Sequence, residues 1–128
     1  MIVLGFDVGR KKTGVAIGNL ASRLARPLTT ARGGRQEQLR EVGKQIAKWQ
    51  PHRLIVGMPL YADGTAHKMS KTARVFGDAL AVAFALPVSF VDERFSTVAA
   101  RAAGLDADTD AVAAGIILQD WLDGGDIG

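Results

Sequence analysis

The chain has 128 residues, 48% of them hydrophobic, and no cysteine. That length supports one core and leaves no room for two independent folds, and the missing cysteine excludes disulfides, thiolate metal sites and cysteine nucleophiles. The net charge of +3 hides a split, because residues 1–74 carry 14 Lys/Arg against 4 Asp/Glu while residues 75–128 carry 2 against 9; such asymmetry suggests an anionic partner for the first part.

In chain order, Ile2 to Val8 is a nearly continuous apolar run interrupted only by Asp7, and Gly14 to Asn19 follows after the basic link Arg10-Lys11-Lys12-Thr13. The two runs read as a hairpin. Pro27 to Thr30 is a short third strand, bounded by its own proline and by Gly33-Gly34. From Arg35 to Gln50 the period changes: Leu39, Val42, Ile46 and Trp49 mark the apolar face of a helix, and Arg40, Lys44 and Lys48 its polar stripe. Pro51 stops that helix, and Arg53 to Met58 is a short buried strand closed by Pro59. Ser70 to Leu86 is a helix with Ala73, Phe76, Leu80 and Phe84 inward, stopped by Pro87. Pro87 to Asp92 alternates as a strand. Ser96 caps a short helix reaching about Ala103, with Gly104 after it. Asp108 caps the last helix, with Val112, Ile116, Gln119 and Leu122 on one face and Gly124-Gly125 beyond. Both tryptophans fall on apolar helix faces and read as core.

This order predicts a single α/β domain over residues 1–128, in which a three-stranded meander leads into parallel strands joined by right-handed crossovers, with helices on both faces. The ribonuclease H-like fold is one architecture that satisfies it. No run approaches the roughly 20 apolar residues of a membrane helix, and the first residues lack the pattern of a secretory signal. A cytoplasmic protein without membrane contact is the expectation.

Three acidic positions stand where regular elements end: Asp7 after the first strand, Asp92-Glu93 after the last, and Asp110 in the first turn of the final helix. In an open α/β sheet, ligands bind beyond the carboxyl ends of the strands, so these acids could converge there. Converging carboxylates need cations, and Mg²⁺ or Mn²⁺ takes oxygen ligands while leaving waters for a phosphate. Glu93 could equally pair with Arg94 or a surface lysine, and Asp110 could simply favour its helix dipole. Asp7 is harder to explain without a partner, because an acid inside an apolar strand is costly to bury. The link Gly9 to Gly14 could offer backbone N–H groups and charge to a phosphate, or be an ordinary hairpin turn; it is not a Walker A loop. His52 and His67 have no metal-ligand spacing and read as structural or surface residues. Ser96 reads first as a cap and second as a hydrogen-bond donor to substrate.

Four segments together resemble the YqgF/RuvX family of ribonuclease H-like proteins. They are Gly5-Phe6-Asp7-Val8-Gly9-Arg10-Lys11-Lys12-Thr13-Gly14-Val15-Ala16; Ile55-Val56-Gly57-Met58-Pro59-Leu60 with Asp63-Gly64; Asp92-Glu93-Arg94-Phe95-Ser96-Thr97; and Asp110 with Ala113-Ala114-Gly115-Ile116-Ile117-Leu118. The resemblance implies a five-stranded mixed sheet in the order 3-2-1-4-5 and a metal-dependent nuclease site. Asp7, Glu93 and Asp110 would be its acidic triad and hold two Mg²⁺ or Mn²⁺ ions. Asp92, Arg94 and Ser96 would be possible additions to the site, and Arg10, Lys11 and Lys12 would grip nucleic acid. It also implies a role in 5′-end maturation of pre-16S rRNA, or resolution of branched four-way DNA, by a monomer or homodimer. Family members often carry a longer, lysine-bearing segment before the last aspartate, where this chain has only Leu105-Asp106-Ala107-Asp108-Thr109. The rival readings are a non-catalytic nucleic-acid-binding module in ribosome assembly and, suggested by Asp7-x-Gly9, part of an actin-like ATPase.

Overall fold

The computed structural model describes residues 1–61, 63–94 and 109–124. Its strands are β1 (Ile2–Asp7), β2 (Lys12–Asn19), β3 (Leu24–Arg32), β4 (Arg53–Leu60) and β5 (Val88–Arg94). Its helices among the described residues are α1 (Arg35–Trp49), α2 (Ser70–Phe84) and α3 (Thr109–Leu122). The strands form one sheet in the order β3-β2-β1-β4-β5. β1, β2 and β3 are antiparallel neighbours, while β4 and β5 run parallel to β1. The meander followed by crossovers is therefore the observed topology. The short helix expected after Ser96 lies outside the described residues, as does Asp108.

Several strand boundaries differ from the sequence reading, each for a physical reason. β4 does not close at Pro59 but runs through it to Leu60, because its pairing with Glu93 and Arg94 of β5 continues there. β2 begins at Lys12, two residues early, because the link hydrogen-bonds as a strand as soon as it reverses; Lys12 pairs with Arg32. β3 runs through Pro27, since an edge strand can lose one donor and the register shifts between Val15 and Ala16 beside it. β5 extends two residues past Asp92, with Glu93 opposite Pro59 and Arg94 opposite Leu60. Both α1 and α2 end on a residue in the left-handed region, Gln50 and Ala85, just before Pro51 and near Pro87.

The sheet is covered on both sides. On one face Leu4, Phe6, Val15, Ile17, Leu54, Val56 and Phe90 meet Val42 of α1 and Ala73, Phe76 and Leu80 of α2. On the other, Val3, Ala16, Ile55 and Val91 meet Ala114, Ile117, Leu118 and Leu122 of α3. The inward face of α3 thus differs from the expected Val112, Ile116, Gln119 and Leu122. Val112 groups with Ala113 and Ile116 apart from that core, and Gln119 instead fixes β3, accepting from the Ala25 N–H at 2.9 Å and donating to the Arg23 carbonyl at 2.8 Å. An almost wholly apolar helix carries little periodic signal, so the sheet chooses its face. The tryptophans are only partly buried, Trp49 against the first cluster and Trp121 against the second.

Glycines in the strands beneath it let α3 rest directly on the sheet. A Cβ on Gly5 would come within 2.7 Å of the Leu118 Cβ, and one on Gly57 within 2.5 Å of the Ile117 Cδ1.

Candidate active site

Asp7 is the last residue of β1, and its partner across the hairpin is Gly14. A methyl group on Gly14 would run into the backbone carbonyl of Asp110. The bare backbone at Gly14 is what lets the first turn of α3 rest on the start of β2, and that contact seats Asp110 beside Asp7. Burial raises the Asp7 carboxyl from 3.8 to about 6, and the Asp110 carboxylate pushes it the same way. Lys12 answers this negative charge: its Nζ lies 3.0 Å from Asp110 Oδ2, the two side chains being 51% and 24% exposed.

Glu93 reaches the same side of the sheet by alternation. Val91 packs under α3 and Phe90 under the other two helices, so Glu93 follows Val91 onto the face of Asp7 while Asp92 follows Phe90 onto the opposite one. Glu93 is only 5% exposed. Continuing the β1–β4 register sets Asp7 beside Gly57, which puts the Cα atoms of Asp7 and Glu93 roughly 12 Å apart. Arg94 ends β5 opposite Leu60, and Ser96 lies outside the described residues.

Asp7 and Asp110 are therefore brought together, Glu93 stands on their face two strands away, and the pleat separates Asp92 from all three. Among the described residues no group of three or more His, Asp or Glu side chains encloses a single point where a metal ion would sit. The donor set nevertheless suits a hard divalent cation. Its ligands are all oxygen, one carboxylate is destabilised as an anion by burial, and a lysine ammonium already supplies positive charge at the other.

One residue that organises this region has no signature in the sequence reading. Gln38, on α1, is completely buried. Its Oε1 accepts from the Thr13 hydroxyl at 2.6 Å and from Arg35 Nη1 at 3.0 Å. Its Nε2 donates to the carbonyls of Arg10 at 2.9 Å and Gly33 at 3.0 Å. The basic link is thus pinned to the start of α1, and the Gly33 N–H closes it by donating to the Lys11 carbonyl at 2.9 Å. A signal was available: Gln38 lies four residues before Val42, on the helix's inward stripe, where a polar side chain must find buried partners. Among the described residues, Lys12 is the basic residue of the link placed against an acid.

A mixed sheet in this order, with carboxylates gathered at the carboxyl end of its first strand and at the start of the last helix, defines a ribonuclease H-like α/β protein. The chain belongs to the RuvX family, whose model, described as "RuvX: Holliday junction resolvase", matches residues 1–124. It is 49% identical over 128 residues to a protein of Burkholderia mallei (strain SAVP1) named "Putative pre-16S rRNA nuclease", covering 95% of this chain and 88% of that one. A protein of the same name from Paraburkholderia xenovorans (strain LB400) is 47% identical over the same shares. In fold the chain is similar to Thermus thermophilus RuvC, with a TM-score of 0.59 at 15% identity over 98% of each chain. The match to T. thermophilus RuvC in complex with a Holliday junction substrate is equivalent, at 0.59 and 16% identity.

Proposed function

We propose that this chain is a metal-dependent nuclease that hydrolyses phosphodiester bonds in structured RNA, acting in 5′-end maturation of pre-16S rRNA. The observation that carries the reading is the buried Asp7 held beside Asp110 at the carboxyl ends of the strands. Family membership and the names of its relatives supply the substrate class.

Asp7, Asp110 and Glu93 would hold Mg²⁺ or Mn²⁺, which when bound supplies Lewis-acid polarisation of the phosphate and a water of lowered pKa. Asp7 contributes a carboxylate whose charge is poorly solvated and therefore strongly attracted to a cation. Asp110 is ion-paired with Lys12, and Lys12 is long enough and exposed enough to turn to a substrate phosphate instead. Arg10 and Lys11 extend that positive edge, giving backbone contacts that position the strand without reading its sequence. As a nuclease acting on rRNA the chain would work in the cytoplasm, as one domain over residues 1–128. Among the described residues no helix is long and apolar enough to cross a membrane.

The test is a cleavage assay offering precursor rRNA and four-way DNA side by side, with Mg²⁺ or Mn²⁺, for the parent chain and Asp7→Asn. Cleavage of the RNA that Asp7→Asn abolishes supports the proposal. Symmetric cutting of the DNA alone would replace it with resolution of branched DNA, the activity in the description of the family model. Metal-independent binding without turnover would leave a ribosome-assembly binding module.

A further inference from the structure

The connection between β4 and α2 carries an aromatic pair that the carboxylate site does not use. Tyr61 directly follows β4 and is 49% exposed. Its ring lies 4.8 Å from the imidazole of His67, centroid to centroid, at an angle of 57°. Leaving so much of an aromatic surface in water forgoes the gain of burying it, yet the turn is built to keep it there. The Tyr61 N–H donates to the Thr65 carbonyl at 2.9 Å and its carbonyl accepts from the Gly64 N–H at 2.8 Å. Asp63 Oδ1 accepts from both the N–H and the hydroxyl of Thr65, at 2.9 and 2.7 Å, and Leu60 bridges to Ala66. His67 Nδ1 accepts from the Met69 N–H at 3.0 Å, which fixes the orientation of the ring that backs Tyr61.

Position gives the pair its meaning. β4 lies between β1, which ends in Asp7, and β5, which ends in Glu93 and Arg94. Pro59 is opposite Glu93, and Tyr61 lies two residues beyond it, just past the carboxyl end of β4. That places it at the same end of the sheet as Asp7 and Glu93, a short step along an extended nucleic-acid strand. Exposed Lys68 and Lys71 follow within the next turn of chain.

We propose that Tyr61, braced by His67, is a stacking platform for an unpaired nucleobase flanking the scissile phosphate, with Lys68 and Lys71 available to the adjoining backbone. The proposal rests on the nuclease reading for the presence of a strand at this edge. Aromatic stacking accepts any base because every base has a π-face, but only an unpaired base offers that face. The platform therefore selects single-stranded segments beside the cut, and leaves sequence unread.

Binding is measured on the full-length chain without divalent metal, using a single-stranded RNA oligonucleotide carrying 2-aminopurine and a blunt duplex of the same sequence. Tyr61→Ala is expected to weaken binding of the single strand about tenfold and abolish its change in 2-aminopurine fluorescence, with duplex binding altered less than about twofold. Tyr61→Phe, which keeps the ring, should stay within about twofold of the parent on both. Unchanged single-strand binding in Tyr61→Ala, equal losses on single strand and duplex, or a Phe variant as weak as Ala would each overturn the platform. A cleavage assay of Asp7→Asn separates the two readings: activity surviving that change removes the carboxylate mechanism, while a Tyr61-dependent preference for single strands would still support the platform.

Discussion

The two faces of the sheet are built on opposite rules. Under α1 and α2 the strands present Leu4, Phe6, Leu54, Val56 and Phe90, and Phe6 meets Phe76 edge to face with centroids 6.3 Å apart. Under α3 the same strands mix Val3, Ile55 and Val91 with the small residues Gly5, Gly14, Ala16, Gly18 and Gly57, and end in Asp7. Large side chains bury the apolar area that stabilises the fold, and they also hold their helices off the sheet. Small ones surrender that area and let a helix approach until its first turn can be aimed. The face that contributes less burial is therefore the one that brings Asp110 to Asp7, while Glu93 shares it.

Substitutions on the two faces should separate these roles. The largest effect is expected on the small-residue face: Asp7→Asn should lower the cleavage rate by about a thousandfold, roughly 4 kcal/mol of lost transition-state stabilisation, in a single-turnover assay. On the opposite face Phe76→Ala should cost about 3–5 kcal/mol of unfolding free energy by chemical denaturation, while the protein that remains folded keeps its turnover. Comparable loss of turnover per folded molecule would break the division between the faces.

Asp7 also gives the small-residue face a pH signature. Its carboxyl titrates at about 6 in the fold against 3.8 when exposed, so the folded state holds this proton more tightly than the unfolded state. The stability it contributes is complete below about pH 3.8 and is lost as pH rises through 6, by roughly 3 kcal/mol in all. In chelator, Asp7→Asn should lose this slope and melt above the parent near neutral pH; an unchanged slope would show that Asp7 is not the group involved. Gly14→Ala should cost about 2–3 kcal/mol by overpacking, and because it lifts Asp110 from β2 its activity should fall more than its stability. The smallest effect belongs to the exposed edge. Lys12→Met should change stability by less than about 1 kcal/mol, weaken RNA binding a few-fold, and reduce the slope of log affinity against log salt by about one.

Much of this molecule was legible because its signals are local. Helix periodicity over Arg35 to Gln50, the prolines near helix ends and the apolar strand runs each depend on neighbours along the chain, and they led to the order of elements seen among the described residues. Asp7 was legible for the same reason, since an acid in an apolar strand is conspicuous without any knowledge of the fold. What escaped depends on contacts across the chain. Gln38 looks like any polar residue near a helix start until Arg10, Thr13 and Gly33 are seen to surround it. α3 has apolar residues on every side, so its buried face could not be read from its own pattern.

The sequence alone determined the class of fold, the family and the three acidic positions, because strand and helix periods, chain breakers and motif spacing are properties of consecutive residues. Only the tertiary structure decided how those acids relate. The pleat sends Glu93 and Asp92 to opposite faces, the missing side chain at Gly14 admits the first turn of α3, and Lys12 crosses to Asp110. Each depends on which strands are neighbours and how closely a helix can approach them, and that is set by packing across the sheet.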